Sequence, residues 1–385
     1  MKLMQICFSP ILNGAGGVEK VYCNMSNYFS DKFDVTNICC DNREGKPFFY
    51  LNERATFINL ARLADFKVPI SIKIWNEIVR LVKQIGIALE FPREVYIRRQ
   101  VKNVLGKCIT KERPDVIICY ELRSMVAIEE LGYDLSKVIV MFHSSADEII
   151  NSLSNKQRNV LKNVKYIQCL LQSDCEKMNR EGFENVVCIN NIVPRFENIG
   201  FDGRDNTIIN VGRLNREQKR QHLLIEAFAK IAYKYPQWKV KLFGALSRPA
   251  DYKIRLEKII KSKKLENQVF LMGKTSNVPE ELRKAAILGF PSAYEGFSLA
   301  LTEAMASGLP SVGFKSAPSV NELIQNGHNG ILCDDNVDSF AKALEELMTD
   351  EEKRIRYGTN AQKDMLKYAP EIIYGQWEAL IKSMV

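Results

Sequence analysis

The sequence predicts an α/β protein of two domains, each a parallel sheet covered by helices, and three observations carry that expectation. Short apolar runs of strand length alternate with amphipathic stretches of helical length almost from end to end. The chain has 385 residues, beyond the roughly 250–300 at which a single hydrophobic core stops growing. Midway the periodicity lapses into NNIVPRFENIGFDGRDN (190–206), where a proline, two glycines and mixed charges interrupt any core pattern. One α/β domain is therefore expected over 1–193 and a second over 207–368. The helix of 370–385 is expected to pack back on the first.

The elements follow in order. LMQICFS (3–9) reads as the first strand, Gly14 to Gly17 break the chain, and a helix runs from Val18 to Phe29. DVTNICC (34–40), VIICY (116–120), VIVMF (138–142), YIQCLL (166–171) and VVCI (186–189) read as further strands, most of them near-continuous apolar runs of the kind found in strands buried on both faces. The second series contains strands TIINVGR (207–213), KVKLFG (239–244), VFLMG (269–273) and AAILGF (285–290), with a helix over 217–235. Helices close it over 336–349, 351–368 and 370–384.

Composition narrows the class. With 46% hydrophobic and 26% charged residues the chain is an ordinary globular protein, not a disordered one. No apolar run approaches the ~18 residues of a membrane span, and MKLMQICFSP lacks the cleavage site of a secretory signal. A cytoplasmic protein is expected. Nine of its ten cysteines precede residue 190, and Cys7, Cys119, Cys169 and Cys188 sit inside apolar runs. They read as buried thiols of a reducing compartment, without zinc spacing. The net charge of +8 forms no basic arm, so no nucleic-acid partner is expected.

The chemistry concentrates in PSAYEGFSLALTEAMASGLPSVGF (291–314), in which Glu295 and Glu303 stand with seven residues between them after a buried strand. Gly296 allows a tight turn beside a ligand. Ser298 can cap the following helix, so that backbone N–H groups at Phe297, Ser298 and Leu299 point with the helix dipole toward an anion such as a diphosphate. The two carboxylates suit vicinal hydroxyls, one for a ribose and one for a transferred sugar. Gly16 and Gly17, between the first strand and its helix, can approach the same ligand, whereas Glu19 and Lys20 read as helix surface. His143 ends a strand at the carboxyl edge where α/β ligands gather, while His222 and His328 read as structural or surface residues.

The segment resembles the E-x7-E signature of retaining glycosyltransferases of family 4, which have the GT-B architecture of two Rossmann-like domains facing each other across a cleft. NVGRLNREQKRQHLLIEAFAKI (210–231) resembles that family's strand, VGR turn at Gly212, basic loop and helix. VFLMGK (269–274) resembles its base-binding strand end, at Met272 and Gly273, GAGGVEK (14–20) its glycine-rich loop, and SVNELIQNGHNGILCDD (319–335) its later helix and strand. The resemblance implies that Arg213 and Lys219 hold the donor diphosphate and stabilise the leaving nucleotide, that Glu295 acts with them, and that His143 touches the sugar. It also implies retention by a front-face route, no cofactor or metal, a UDP-sugar donor, and a glycan or lipid-linked acceptor in surface polysaccharide, lipopolysaccharide or glycoprotein glycan assembly. Consistent with independence from metal, the chain holds no Asp-x-Asp triplet. Two departures stand out: KSAPSVNEL (315–323) replaces a frequent Gly-Gly, and Arg220 follows Lys219 where glycine is frequent, so Arg220 is a second candidate for the phosphate. Two other readings stay open, a sugar-nucleotide epimerase of the same architecture and a non-catalytic nucleotide-binding subunit.

Residues 67–107 hold nine Lys/Arg against three Asp/Glu. Within ISIKIWNEIVRLVKQIGIAL (70–89), Ile72, Trp75, Ile78, Val79, Val82 and Ile85 fall at helical spacing among Lys73, Arg80 and Lys83; Arg93, Arg98, Arg99, Lys102 and Lys107 follow. The preferred reading is a domain helix with its apolar face in the core and its lysines solvated. The alternative is peripheral membrane contact through 70–107.

Overall fold

The computed structural model describes the whole chain except Ala15, residues 85–88, 197–199, 201–202 and 246–250, Ser276, and the side chains of residues 83 and 84. Two compact units result, Met1–Asn190 with Tyr374–Val385, and Asn191–Ile373.

In the first unit the chain runs β1 (Lys2–Cys7), α1 (Gly17–Phe29), β2 (Asp34–Cys39), β3 (Thr56–Asn59), α2 (Leu60–Ala64), α3 (Ile70–Gln84), α4 (Pro92–Glu112), β4 (Val116–Cys119) and α5 (Leu122–Glu130). It continues with β5 (Val138–Met141), α6 (Ala146–Ser152), α7 (Asn155–Leu161), β6 (Tyr166–Cys169), α8 (Gln172–Arg180) and β7 (Val186–Cys188). The strands form one parallel sheet in the order β3-β2-β1-β4-β5-β6-β7, so chain direction across the sheet reverses between β1 and β4. Ile6, Ile38, Ile117, Val140 and Ile167 are buried in it. A satisfied polar chain crosses the core: Tyr120 donates to Gln5, Gln5 to Asn37 at 3.0 Å, and Asn37 to Ser26 at 2.7 Å.

Several strands end one or two residues short of their apolar runs, because the last apolar residues turn into the carboxyl-edge loops. Phe8 shows the cause: its N–H donates to the Glu121 carboxylate at 2.6 Å, not to a strand neighbour.

The second unit runs β8 (Thr207–Val211), α9 (Gln221–Ile231), β9 (Lys239–Phe243), α10 (Asp251–Ser262), β10 (Val269–Gly273), α11 (Val278–Lys284), β11 (Ile287–Phe290) and α12 (Leu299–Ala306). Then come β12 (Ser311–Phe314), α13 (Val320–Leu323), β13 (Gly330–Cys333), α14 (Val337–Thr349), α15 (Glu351–Met365) and α16 (Pro370–Lys382). This sheet is also parallel, ordered β10-β9-β8-β11-β12-β13, with its reversal between β8 and β11. The helix expected over 217–235 begins only at Gln221, because Arg220 stands in the left-handed region at φ +47° and ends the preceding loop. From Tyr374 onward α16 belongs to the first unit. Tyr374 stacks on Tyr28 with centroids 3.9 Å apart and donates its hydroxyl hydrogen to the Asn24 carbonyl.

Three expectations need correction. Of the apolar residues on α3, Val79 is buried against the domain, but Ile70, Ile74, Trp75, Ile78 and Leu81 are exposed; Ile85 lies outside the described residues. Of the expected stripe, Trp75 and Ile78 thus face solvent, while Ile72 and Val82 are half-buried beside Val79; the exposed Ile70, Ile74 and Leu81 belong to a second row. Arg98 is no surface cation, since its guanidinium is buried and paired with both oxygens of Glu90 and with Glu130. Glu19 does not project as helix surface: its carboxylate folds back so far that a Cβ at Gly14 or Gly16 would lie 2.6 or 2.4 Å from its oxygens.

Candidate functional site

In the second unit the loops after β8 and β11 flank the sheet reversal, the position where α/β sheets open a crevice at their carboxyl edge. The β8 loop is tightly organised. Asn215 accepts from the Gln218 N–H through its side chain and from the Arg220 N–H through its carbonyl, and Gln221 donates to the Arg213 carbonyl at 3.0 Å. Gly212 donates to Phe243, and Gly244 crosses so close that a Cβ there would lie 1.8 Å from the Gly212 oxygen. Gly244 was not among the expected site residues, and its role depends on this contact between neighbouring strand ends.

That loop is fastened to the β11 loop. The Ala293 N–H donates to the Gln218 carbonyl at 2.7 Å. Lys219 reaches Glu295, Nζ to Oε1 2.5 Å, over the Phe290 ring, with the two side chains 14% and 7% exposed. Arg220 donates to the Pro291 carbonyl at 3.0 Å and pairs with both oxygens of Asp335 at 3.1 Å, its guanidinium over Phe314. Asp335 also accepts from Ser316. Arg220 thereby ties three loops together. Arg213 is exposed beside them.

The Glu295 backbone is held in turn: its carbonyl accepts from the Ser319 hydroxyl at 2.7 Å, and Ser319 adopts φ +66° to deliver it. Gly296 leads to Phe297, which is buried edge-on against Tyr368, and Ser298 caps α12 by accepting from the Leu301 N–H. Leu299 is the first residue of α12, whose opening N–H groups have no partner inside the helix. Glu303 lies one turn further on and is buried. The Ser292 hydroxyl, between them and the strand, is buried without a hydrogen-bond partner. Met272 is exposed at the end of β10, followed by Gly273 at φ +74°. Among the described residues no group of three His, Cys, Asp or Glu could hold a metal ion.

The first unit presents its own carboxyl edge. Gly16 stands at the N-terminus of α1 and Gly17 is its first residue, with the Glu19 carboxylate against the loop. His143 follows β5, its ring stacked on Tyr120 with centroids 5.5 Å apart, and Nε2 is buried without a partner. Desolvation pushes its imidazole down to about 4, so it is neutral at pH 7. His222 shares a 3.0 Å hydrogen bond with Tyr252, and His328 lies 3.3 Å from Asp364.

Comparison with known proteins agrees with this architecture. The family described as Glycosyl transferases group 1 matches residues 194–364. An uncharacterised glycosyltransferase of Haemophilus influenzae is 24% identical over 96% of this chain and 97% of its own length. The poly(ribitol-phosphate) alpha-N-acetylglucosaminyltransferase of Staphylococcus aureus is 26% identical over 74% of this chain and 60% of its own. Among solved structures, Anabaena HepE in complex with UDP and glucose superposes with a TM-score of 0.71 at 17% identity, covering all of both chains. Residues 194–364 thus carry the match to the glycosyl transferases group 1 family, and the fold of the chain is GT-B.

Proposed function

We propose that this enzyme transfers a hexosyl or N-acetylhexosaminyl group from a UDP-sugar to a glycan or lipid-linked acceptor in cell-surface polysaccharide or glycan assembly, with retention and without a metal. The observation that carries the reading is the shielded Lys219–Glu295 pair beside the capped N-terminus of α12. Cleaving a glycosyl diphosphate builds negative charge on the leaving phosphate, which fixed cations and helix amides stabilise. Lys219, with the exposed Arg213, supplies the cations, and Phe297, Ser298 and Leu299 supply the amides.

Donor binding in this reading opens the ion pair. Lys219 turns to the diphosphate, and Glu295 is released to sugar hydroxyls, while Glu303 takes the ribose. Gly212, Met272 and Gly273 border the base, and Gly16, Gly17 and His143 belong to the sugar side. A relative that transfers N-acetylglucosamine to poly(ribitol phosphate) and a fold neighbour holding UDP and glucose support the donor class.

The test is nucleotide release on a panel of UDP-sugars with glycan and polyprenyl-diphosphate acceptors. Acceptor-dependent UDP release with an α-linked product supports the proposal. Conversion of the sugar without acceptor supports an epimerase, and binding without turnover a non-catalytic subunit; either result rejects it.

A further inference from the structure

One surface feature that the proposed reaction does not use is α3. Ile70, Ile74, Ile78 and Leu81 recur at intervals of four, four and three and line one stripe, with Trp75 at its edge; all five are exposed, Trp75 by 59%. The opposite side, at Val79, is buried and packs on α4. A contiguous apolar row of this size on a charged protein marks a surface that is covered in use.

The charges around it say by what. Lys73 and Arg80 lie one stripe away on the same helix, and Lys67, Arg93, Arg99 and Lys102 are exposed on the neighbouring segments. The exposed acid on the helix, Glu77, is paired with Arg80 at 2.6 Å. A basic rim beside an apolar row fits negatively charged headgroups above acyl chains. No helix among the described residues is long and apolar enough to cross a membrane, so the helix would lie in the interface.

We propose that α3 docks this enzyme on anionic bilayers, with Ile74, Trp75 and Ile78 entering the headgroup boundary and Lys73 contacting lipid phosphate. The inference concerns the helix surface alone and stands or falls apart from the transfer reaction.

The chain carries its own probe. Of its three tryptophans, Trp238 and Trp377 are buried and Trp75 is exposed, so a vesicle-induced change in tryptophan emission reports α3. The full chain is mixed, without donor or acceptor, with vesicles of phosphatidylglycerol in phosphatidylcholine or of phosphatidylcholine alone. The expected result is pelleting with the anionic vesicles, a blue shift of Trp75, and at least a tenfold weaker partition at high salt or in Lys73→Glu. Ile74→Glu, which keeps the probe, should abolish pelleting and shift while leaving the melting temperature unchanged. Absence of pelleting and shift with the wild-type chain overturns the proposal. So does a blue shift that grows with protein concentration in vesicle-free buffer, because a second copy would then cover the row.

Discussion

Lys219 and Glu295, 76 positions apart, meet at 2.5 Å where the loops of β8 and β11 converge, both largely shielded from water. An ion pair in such a place is costly to desolvate and costlier to halve. Lys219→Ala is therefore expected to lower stability by about 1–3 kcal/mol through the stranded carboxylate, and to abolish transfer. Adding Glu295→Ala should restore most of the stability without restoring activity. Urea unfolding and UDP release on the single and double variants measure the two effects separately, and recovery of both together would mean the pair is only structural.

Two glycines test backbone proximity. Gly244→Ala would thrust a methyl group to within 1.8 Å of the Gly212 carbonyl, backbone against backbone, so a loss of about 3 kcal/mol or more is expected, with the Arg213 turn displaced. Gly375→Ala, within α16 and facing open space, should instead stabilise by about 0.5–1 kcal/mol. Thermal melting of both variants decides.

His143 gives the first unit a pH dependence of definite sign. Its folded-state value is about 4 against an ordinary 6.5, so between those limits the unfolded chain binds more protons. Its contribution is full above pH 6.5 and is lost as pH falls toward 4. Unfolding in denaturant from pH 7 to 4 should show this slope, and His143→Asn should flatten it. The pH–rate profile should likewise lack an ionisation of His143 near 6.5.

The fold was legible because buried parallel strands write themselves as uninterrupted apolar runs, such as VIICY and VIVMF, separated by helix-length segments. Local parts of the site were legible as well: Ser298 directly before the run LALTEAMA marks a helix start, and the spacing of Glu295 and Glu303 lies within one loop and helix. The links Lys219–Glu295 and Arg220–Asp335 span 76 and 115 positions, and nothing local encodes such distant partners. The exposure of α3 was illegible for a different reason. Periodicity reveals that a stripe exists, but an apolar stripe looks alike whether a neighbouring helix or only solvent lies against it.

The return of α16 to the first unit makes the second unit an insertion in its host. The second unit is thus complete in one continuous stretch, 191–373, whereas the first needs Tyr374, Trp377 and Ile381 from the end of the chain to fill its flank. Shortening the chain at residue 373 should consequently harm the half made earliest and spare the half made later.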